Sequence, residues 1–243
     1  MKSRQKARKA VIIGTFLFFP LIIFYFSPNL VVTGAMDGIV VGSFIVFSAQ
    51  FALSLFLGRS LCSYFCPIAG LHECLALATD KRAKGGKKDL IKYCLWVPWV
   101  VATAILFVKA GGFREVNFFF HTANGISLHE PFSYWIYYGV LLLVAVLAFT
   151  VGKSAFCHCV CWMAPFMVTG AKLSAWLKLP RLHLNLDKRG CTGCKVCSKK
   201  CPMGLDVMQM VERGDMGNTE CTLCGECIDS CPQKSILYSF GRR

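Results

Sequence analysis

Two cysteine runs near the C-terminus constrain this chain more than any other feature. Residues 191–202 read CTGCKVCSKKCP and residues 221–232 read CTLCGECIDSCP, so each run has the spacing C-x2-C-x2-C-x3-C-P. Cysteines at this spacing hold 4Fe–4S clusters, and in two-cluster proteins the fourth cysteine of each run ligates the other cluster. The spacing therefore predicts two clusters with the following ligands: Cys191, Cys194, Cys197 and Cys231 for one, and Cys221, Cys224, Cys227 and Cys201 for the other.

Zinc and disulfides are the alternatives for these thiols. Zinc uses four cysteines in two pairs, and the third and fourth cysteines of each run would be hard to place. Disulfides suit small secreted domains. This chain is 55% hydrophobic and only 16% charged, with a mean hydropathy of +0.53, which is typical of a membrane protein. Clusters are therefore favoured, on the reducing side of a membrane.

Four apolar runs predict four transmembrane helices, at residues 10–26, 39–57, 93–108 and 134–151. Pro20 is expected to kink the first helix, which membrane helices tolerate. A secretory signal is the alternative for this first run, but the run is longer than usual and no A-x-A cleavage site follows. We therefore expect an uncleaved anchor.

The basic residues predict the orientation of these helices. All but two of the 27 Lys and Arg residues lie at the N-terminus, between the second and third spans, or after the fourth. The opposite loops hold only Lys109 and Arg114. By the positive-inside rule, both termini are expected in the cytoplasm, and the protein is expected to be a multi-pass protein of the cytoplasmic (inner) membrane. The net charge of +14 is thus explained by topology and by attraction to membrane lipid, and nucleic acid is not expected as a partner.

The remaining segments complete the predicted architecture. Residues 68–79 and 162–179 fit helices that lie in the membrane interface. Residues 181–189 are expected to link to the cluster domain, in which a helix is predicted through 207–211. The fold class is an α-helical membrane protein: residues 1–179 form the four-span domain, and residues 180–243 form a cytoplasmic ferredoxin-like domain of small α+β type, held mainly by its clusters.

The two halves of the membrane part resemble each other. Residues 58–67 read GRSLCSYFCP and residues 152–161 read GKSAFCHCVC, each with a C-x3-C pair at the cytoplasmic end of a predicted hairpin. Internal repeats commonly meet at a site. If each pair lies at i, i+4 on a helix, its sulfurs share one face. The repeat predicts a third centre, iron–sulfur or zinc, on these four cysteines: Cys62, Cys66, Cys157 and Cys161.

Simple burial of these four small thiols, or a redox pair among them, is the alternative, and the sequence leaves it open. The other cysteines of the membrane part, Cys74, Cys94 and Cys159, have no partner pattern and are expected to pack. His158 is expected to be a neighbour of the site rather than a ligand.

The predicted outer loop, residues 110–133, is rich in phenylalanine. A quinol site needs an aromatic cleft and groups that accept protons. His121, His129 and Glu130 form a candidate proton-handling set on this basis. An ordinary solvated interfacial loop is the alternative.

Taken together, the spans, the CSYFCP motif and the ferredoxin runs resemble the NapH/MauN-type ferredoxin-like membrane proteins over nearly the whole chain. The resemblance implies electron transfer between the quinone pool and a redox partner protein, as in an iron–sulfur component of a quinol dehydrogenase. Some members of the family act in maturation. The second site departs from the family pattern, because Trp162 stands where proline follows the second cysteine and Cys159 is an additional cysteine.

The predicted function is a membrane-anchored electron-transfer subunit, and whether it turns over a substrate alone is left open. An assembly, maturation or redox-sensing protein for a metalloenzyme is the alternative. A transporter is disfavoured, because the spans contain no buried charge pairs of the kind that pathways need. The chain contains neither a haem-attachment C-x-x-C-H motif nor a nucleotide-binding fingerprint.

Overall fold

The computed structural model describes residues 3–79, 81–83, 85–187 and 190–242, and these residues are mostly helical. The α-helices in chain order are α1 (Ser3–Leu17), α2 (Phe19–Ile22), α3 (Pro28–Asp37), α4 (Gly42–Leu57), α5 (Ser60–Tyr64), α6 (Pro67–Leu75), α7 (Ile91–Lys109), α8 (Pro131–Thr150), α9 (Ala155–Cys159), α10 (Met163–Trp176), α11 (Val196–Lys200), α12 (Val207–Arg213) and α13 (Glu226–Ser230). The strands are β1 (Ile39–Val41), β2 (Glu115–Asn117), β3 (Arg181–Leu186) and β4 (Ile236–Gly241).

Two helices in the described ranges are long and apolar enough to cross a membrane, Lys88–Lys109 and Pro131–Thr150. A third candidate arises if α1 and the helical segment Phe19–Phe26 count as one span, bent by 59° at their junction. Pro20, in the first turn of α2, accounts for the bend, because a proline has no N–H to donate back to α1. Both long helices coincide with predicted spans.

The predicted second span is shorter than expected. Its first three residues form β1, which pairs in parallel with β2, and α4 covers the remaining 16 residues. A helix of this length extends roughly 24 Å, less than the hydrocarbon core of a typical bilayer.

The sequence repeat is visible in the structure. Each copy is a long helix, α4 or α8, followed by a short helix and then a second helix, α5–α6 or α9–α10. The glycine that follows each long helix has a positive φ, 57° at Gly58 and 130° at Gly152, a conformation that favours glycine. The second helix of each copy packs on the long helix of the other, α10 on α4 and α6 on α8.

The prediction that each C-x3-C pair lies on one helix is wrong. Cys62 is inside α5, whereas Cys66 has an extended backbone (φ −74°, ψ 122°) and caps α6. Pro67 explains the break, because a proline disfavours helical dihedrals at the preceding residue and suits the first turn of the next helix. Likewise, Cys157 is inside α9, and Cys161 lies between α9 and α10.

Close helix–helix contacts position α6 and α10, the helices that follow the backbone breaks at Cys66 and Cys161. A Cβ added to Gly70 of α6 would lie 2.7 Å from the Cβ of Phe16 and would collide with the carbonyl oxygen of Ile12, so α1 and α6 approach through this glycine. Gly170 of α10 has the same role against Phe51 and Ser54 of α4. An apolar core that includes Phe19, Phe47, Val144, Phe156 and Met163 fills the space between the two copies of the repeat.

The C-terminal segment is a small α+β unit. Its first and last strands, β3 and β4, are antiparallel, with Arg181 opposite Gly241 and Leu186 opposite Ile236. Leu184, Met210, Val211 and Ile236 belong to its core. The prediction of a linker over 181–189 is therefore wrong for 181–186, because alternating leucines let this stretch form an edge strand. Residues 188 and 189 lie outside the described residues. The predicted helix through 207–211 is confirmed as α12.

Candidate functional site

The eight cysteines of the C-terminal runs fall into two groups in the structure. A cavity of about 20 Å³ is lined by Cys191, Cys194, Cys197 and Cys231, and another of about 20 Å³ is lined by Cys201, Cys221, Cys224 and Cys227. We call these groups the distal set and the middle set. Each combines three cysteines of one run with the fourth of the other, which is the arrangement that the spacing predicts. Their role as cluster ligands stays a prediction.

A turn after the second cysteine of each run helps to bring the cysteines of each set together. The residue after it, Lys195 or Gly225, has a positive φ, 58° and 76° respectively. This left-handed residue turns the chain and starts a short helix, α11 or α13. The third cysteine of the run then lies in that helix.

The distal and middle sets differ in exposure. Cys194 of the distal set is exposed to solvent. In the middle set, burial raises the pKa of Cys221 to about 11 and the pKa of Cys224 to about 12. The pKa of Cys227 is raised by burial, by its own set and also by Cys197 of the distal set, so the two sets are neighbours.

The four repeat cysteines also converge, and we call them the inner set. Cys62, Cys66, Cys157 and Cys161 line one cavity of about 70 Å³, which also includes Cys224 of the middle set. Burial, followed by the charges of Cys62 and Cys161, raises the pKa of Cys66 to about 12. The Sγ of Cys62 lies 3.1 Å from the Sδ of Met167.

The two halves of the inner set have equivalent local geometry. The backbone N–H groups of Ile68 and Ala69 lower the pKa of the Cys66 thiol, against the larger effect of burial, and those of Met163 and Ala164 act in the same way on Cys161. In each half, the thiol of the second cysteine thus lies near the N–H groups at the start of the following helix. Trp162 in place of proline therefore does not change how Cys161 is presented.

The chemistry of all three sets suits a soft metal centre. Thiols whose pKa burial raises, such as Cys66, Cys221 and Cys224, remain protonated until a metal displaces the proton, so binding a metal there would release protons. Four cysteines that line one cavity are the ligand type for 4Fe–4S clusters, and tetrahedral zinc is the alternative for a four-cysteine set. The residues present fit a cluster at each set.

A buried charged group, which sequence reasoning missed, joins the inner set to the C-terminal domain. Glu220, next to Cys221, accepts from Nη1 of Arg59 at 2.9 Å and from Nζ of Lys92 at 2.6 Å. The side chains of Glu220, Arg59 and Lys92 are 5%, 3% and 0% exposed. Arg59 also donates to the carbonyl oxygen of Thr219 at 2.7 Å.

His158 extends this charged group and does not join the inner set. A carbonyl can only accept, so Nε2 of His158 donates to the carbonyl oxygen of Met203 at 3.0 Å, and Nδ1 lies 2.5 Å from a carboxylate oxygen of Asp89. Asp89, His158 and Glu220 place their ligand atoms within 4.8 Å of one another, as a metal site would. Lys92 and Arg59 already bind Glu220, and their positive charge opposes a cation there.

The three cysteines expected to pack differ in their surroundings. Cys159 is buried and Cys74 is half-buried. Cys94 is exposed on α7, so the expectation that it packs inside this chain is wrong.

The predicted proton-handling residues lie away from the cysteine sets. His129 and Glu130 are 3.6 Å apart, and the Glu130 side chain is 68% exposed. His121 contacts the ring of Phe120 edge-on and has a φ of 55°. None of the three lines the cavity of the inner set, and their role stays a prediction.

A large apolar cavity lies beside the inner set. It has a volume of about 420 Å³ and reaches from Phe132 and Ile136 of α8 to Cys66 and Cys161. Aromatic and aliphatic side chains form most of its wall, with Ser27 and Asn29 as polar groups. Its volume falls in the range of small-molecule pockets. Sequence reasoning missed this cavity, because its lining comes from four separate segments.

Comparison with protein families agrees with the cysteine groups. Residues 190–236 match the 4Fe-4S dicluster domain. Residues 39–85 and 132–180 match two copies of another family, the 4Fe-4S binding domain, and each copy contains one C-x3-C pair. The chain thus carries ferredoxin-type 4Fe-4S domains, and its internal repeat is confirmed. A third centre and the NapH/MauN type in particular are not established by these matches.

Individual relatives are distant. The chain is 26% identical over 77% of its length to an uncharacterized protein, MJ0749, of Methanocaldococcus jannaschii, of which the match covers 67%. It is 21% identical over 85% of its length to the putative electron transport protein YccM of Escherichia coli, of which the match covers 58%. A stretch of 48 residues is 44% identical to one component of an ion-translocating oxidoreductase complex of Methanosarcina acetivorans, covering 17% of that component. No solved structure matches the chain.

Proposed function

We propose that this protein is a membrane-anchored iron–sulfur subunit that relays electrons between the quinone pool and a redox partner protein. One observation carries the proposal: the three cysteine sets are contiguous from the apolar cavity to the protein surface. Cys66 and Cys161 line both the apolar cavity and the inner-set cavity, and Cys224 of the middle set lines the latter. Cys227 and Cys197 then join the middle set to the distal set, where Cys194 is exposed.

The chain supplies the ligands and the insulation that such a relay needs. A 4Fe–4S cluster, when bound, exchanges one electron at a time. Every cysteine of the inner and middle sets is buried or half-buried, so the surrounding protein would limit the access of other oxidants to them. Only the distal set has an exposed cysteine, which suits contact with a partner protein.

The apolar cavity supports quinone as the membrane-side reactant. A quinone combines a flat ring with a long apolar tail, so it favours an aromatic pocket with few polar groups. The hydroxyl of Ser27 and the amide of Asn29 can hydrogen-bond to ring oxygens. Because Cys66 and Cys161 form part of the wall, a ring in this cavity would lie beside the inner set.

The N-terminal helix supports the proposed orientation, with both termini in the cytoplasm. Arg4 forms an ion pair with Asp229 at 2.8 Å, and Nε2 of Gln5 donates to the carbonyl oxygen of Cys224 at 3.1 Å. Arg8 binds Glu226 of the same domain at 3.2 Å. The start of α1 and the cluster domain thus lie on one side of the apolar helices.

The relatives support the electron-transfer class. One is named a putative electron transport protein, and another belongs to an oxidoreductase complex. Other redox proteins are the partners that this likeness suggests.

Iron content tests the number of centres. We expect about twelve iron atoms per purified chain and about eight after Cys62→Ser or Cys157→Ser, with EPR signals of the two remaining clusters intact. Cys94→Ser is the matched control and should leave the iron content unchanged, because this cysteine is exposed on α7. About eight iron atoms in wild type and variants alike would eliminate a cluster at the inner set.

Quinol-dependent reduction tests the relay. Val140→Trp fills the apolar cavity and should slow reduction of the clusters by a quinol analogue at least tenfold, with unchanged iron content. Leu142→Trp is the control, because this residue of α8 is 65% exposed and does not line the cavity. Wild-type clusters that quinol does not reduce, or that do not reoxidise repeatedly, would refute the relay and favour a maturation or sensing role.

A further inference from the structure

His72 of α6 presents an unpaired N–H group at the inner set. It is buried and lines the same cavity as the four cysteines. Its Nδ1 accepts the backbone N–H of Ser154 at 3.4 Å, so the ring proton is on Nε2. Burial lowers the pKa of His72 to about 4, which keeps the ring neutral. Within the described chain, Nε2 has no hydrogen-bond partner.

Arg59 presents a second unpaired N–H group at the same place. Its side chain lines the inner-set cavity, and its Nε has no partner among the described residues, although Nη1 binds Thr219 and Glu220. Burial by itself lowers the pKa of Arg59, but the charges of Cys62 and Glu220 outweigh burial and raise it. The guanidinium is therefore a permanent cation within reach of the inner thiols.

Two buried N–H donors without acceptors at one cavity need an explanation. A buried polar group left unpaired destabilises the fold, so native structures pair nearly all of them. The cavity between the cysteines is the place where both donors could be satisfied. Cluster sulfides and cysteine thiolates are anionic acceptors of the required kind.

We propose that His72 and Arg59 donate hydrogen bonds to the sulfur atoms of the centre held by the inner set and raise its reduction potential. Hydrogen bonds to sulfur are a main determinant of cluster potentials. A donor or a positive charge stabilises the reduced state more than the oxidised state, because the reduced state carries one more negative charge. His72 lines only the inner-set cavity, whereas Arg59 also binds Glu220 beside Cys221 of the middle set. This inference rests on the third centre of the proposed function.

The protonated Nε2 also distinguishes His72 from a ligand. A metal ligand needs a free ring lone pair, and here Nδ1 is engaged by Ser154 and Nε2 carries the proton. His72 is therefore a positioning residue that acts on the centre through its N–H group.

An EPR-monitored redox titration of the purified full chain tests the inference. His72→Leu removes the donor and should lower the reduction potential of the inner centre by about 59 mV. For one electron, this shift corresponds to about a tenfold change in the ratio of oxidised to reduced centre. In His72→Gln, the amide N–H replaces Nε2–H, so the potential of the inner centre should stay close to its wild-type value. Arg59→Lys keeps the positive charge and loses Nε–H, so it should also lower the potential. The two His72 variants should leave the potentials of the other two centres unchanged.

His129→Leu is the control, because this histidine lies away from the cysteine sets and should change no potential. An inner-centre potential that is unchanged in both His72→Leu and Arg59→Lys would overturn the inference. Selective loss of the inner EPR signal in His72→Leu would overturn it as well, since His72 would then be a ligand. If His72→Leu does not fold, the other two variants decide. The inference then requires that Arg59→Lys lowers the potential of the inner centre and that His72→Gln largely retains it. A wild-type protein with only two clusters would instead refute the third centre, before any variant is made.

Discussion

Glu220→Gln is the substitution with the most direct structural consequence. Burial by itself raises the pKa of Glu220, but Arg59 and Lys92 outweigh burial and hold the pKa below its ordinary value, so the carboxylate is charged. Glutamine keeps the shape of the side chain and removes the charge. The two cations would then remain buried without their counter-ion, at the contact between the membrane part and the cluster domain.

The size of the effect follows from burial. An exposed ion pair contributes about 0–1 kcal/mol, whereas removing one partner of a buried pair costs about 3–5 kcal/mol. All three side chains here are at most 5% exposed, so the buried value applies. At 1.4 kcal/mol for each factor of ten, opening of this contact should become more frequent by roughly two to nearly four orders of magnitude.

Hydrogen exchange followed by mass spectrometry measures this opening. Residues 58–63 and 219–224 face each other, since Ser63 also donates to the carbonyl oxygen of Thr222 at 2.8 Å. The amides of these two segments should exchange faster in Glu220→Gln by the stated factor. Glu212→Gln, an exposed glutamate of the same domain, should have no effect. Less than tenfold acceleration would show that solvent reaches the charged group, and the reasoning from burial would be refuted.

Two further predictions concern ligand sharing and helix packing. Cys191→Ser and Cys231→Ser should abolish the same cluster EPR signal, and Cys201→Ser should abolish the other one, because each cavity combines cysteines of both runs. Loss of the same signal in Cys191→Ser and Cys201→Ser would contradict this sharing. Gly70→Ala should lower the unfolding free energy in a denaturant titration by about 1–3 kcal/mol, since the added Cβ collides with the Ile12 carbonyl. Gly14→Ala, where nothing lies within 4 Å of the added Cβ, should instead stabilise α1 by about 0.5–1 kcal/mol; equal effects of the two substitutions would disprove the close approach.

Several elements of this protein follow from local pattern alone. The spacing of the C-terminal cysteines predicts the grouping into a distal and a middle set, because left-handed residues and short helices within each run determine where the thiols lie. Long apolar runs predict α7 and α8 for a similar reason, since hydropathy and length are local properties. The repeated C-x3-C pairs predict that four more cysteines meet.

Other elements depend on contacts between distant segments. The backbone break at Cys66 could have been read from Pro67, but the equivalent break at Cys161 has no such local signal. Residues 181–186 form strand β3 because they pair with β4, which lies about fifty residues further along the chain. The same holds for the apolar cavity, whose wall comes from separate helices.

The sequence by itself therefore determined which residues can hold metal centres, because cysteine spacing and the conformation of the intervening residues act over a few positions. Only the tertiary structure decided what surrounds those residues. Arg59, His72 and Glu220 are ordinary polar residues in the sequence. They become buried donors and counter-ions because the two copies of the repeat pack against each other and the cluster domain covers them. The environment of the inner set is thus a property of packing, and packing has no short-range signature in the chain.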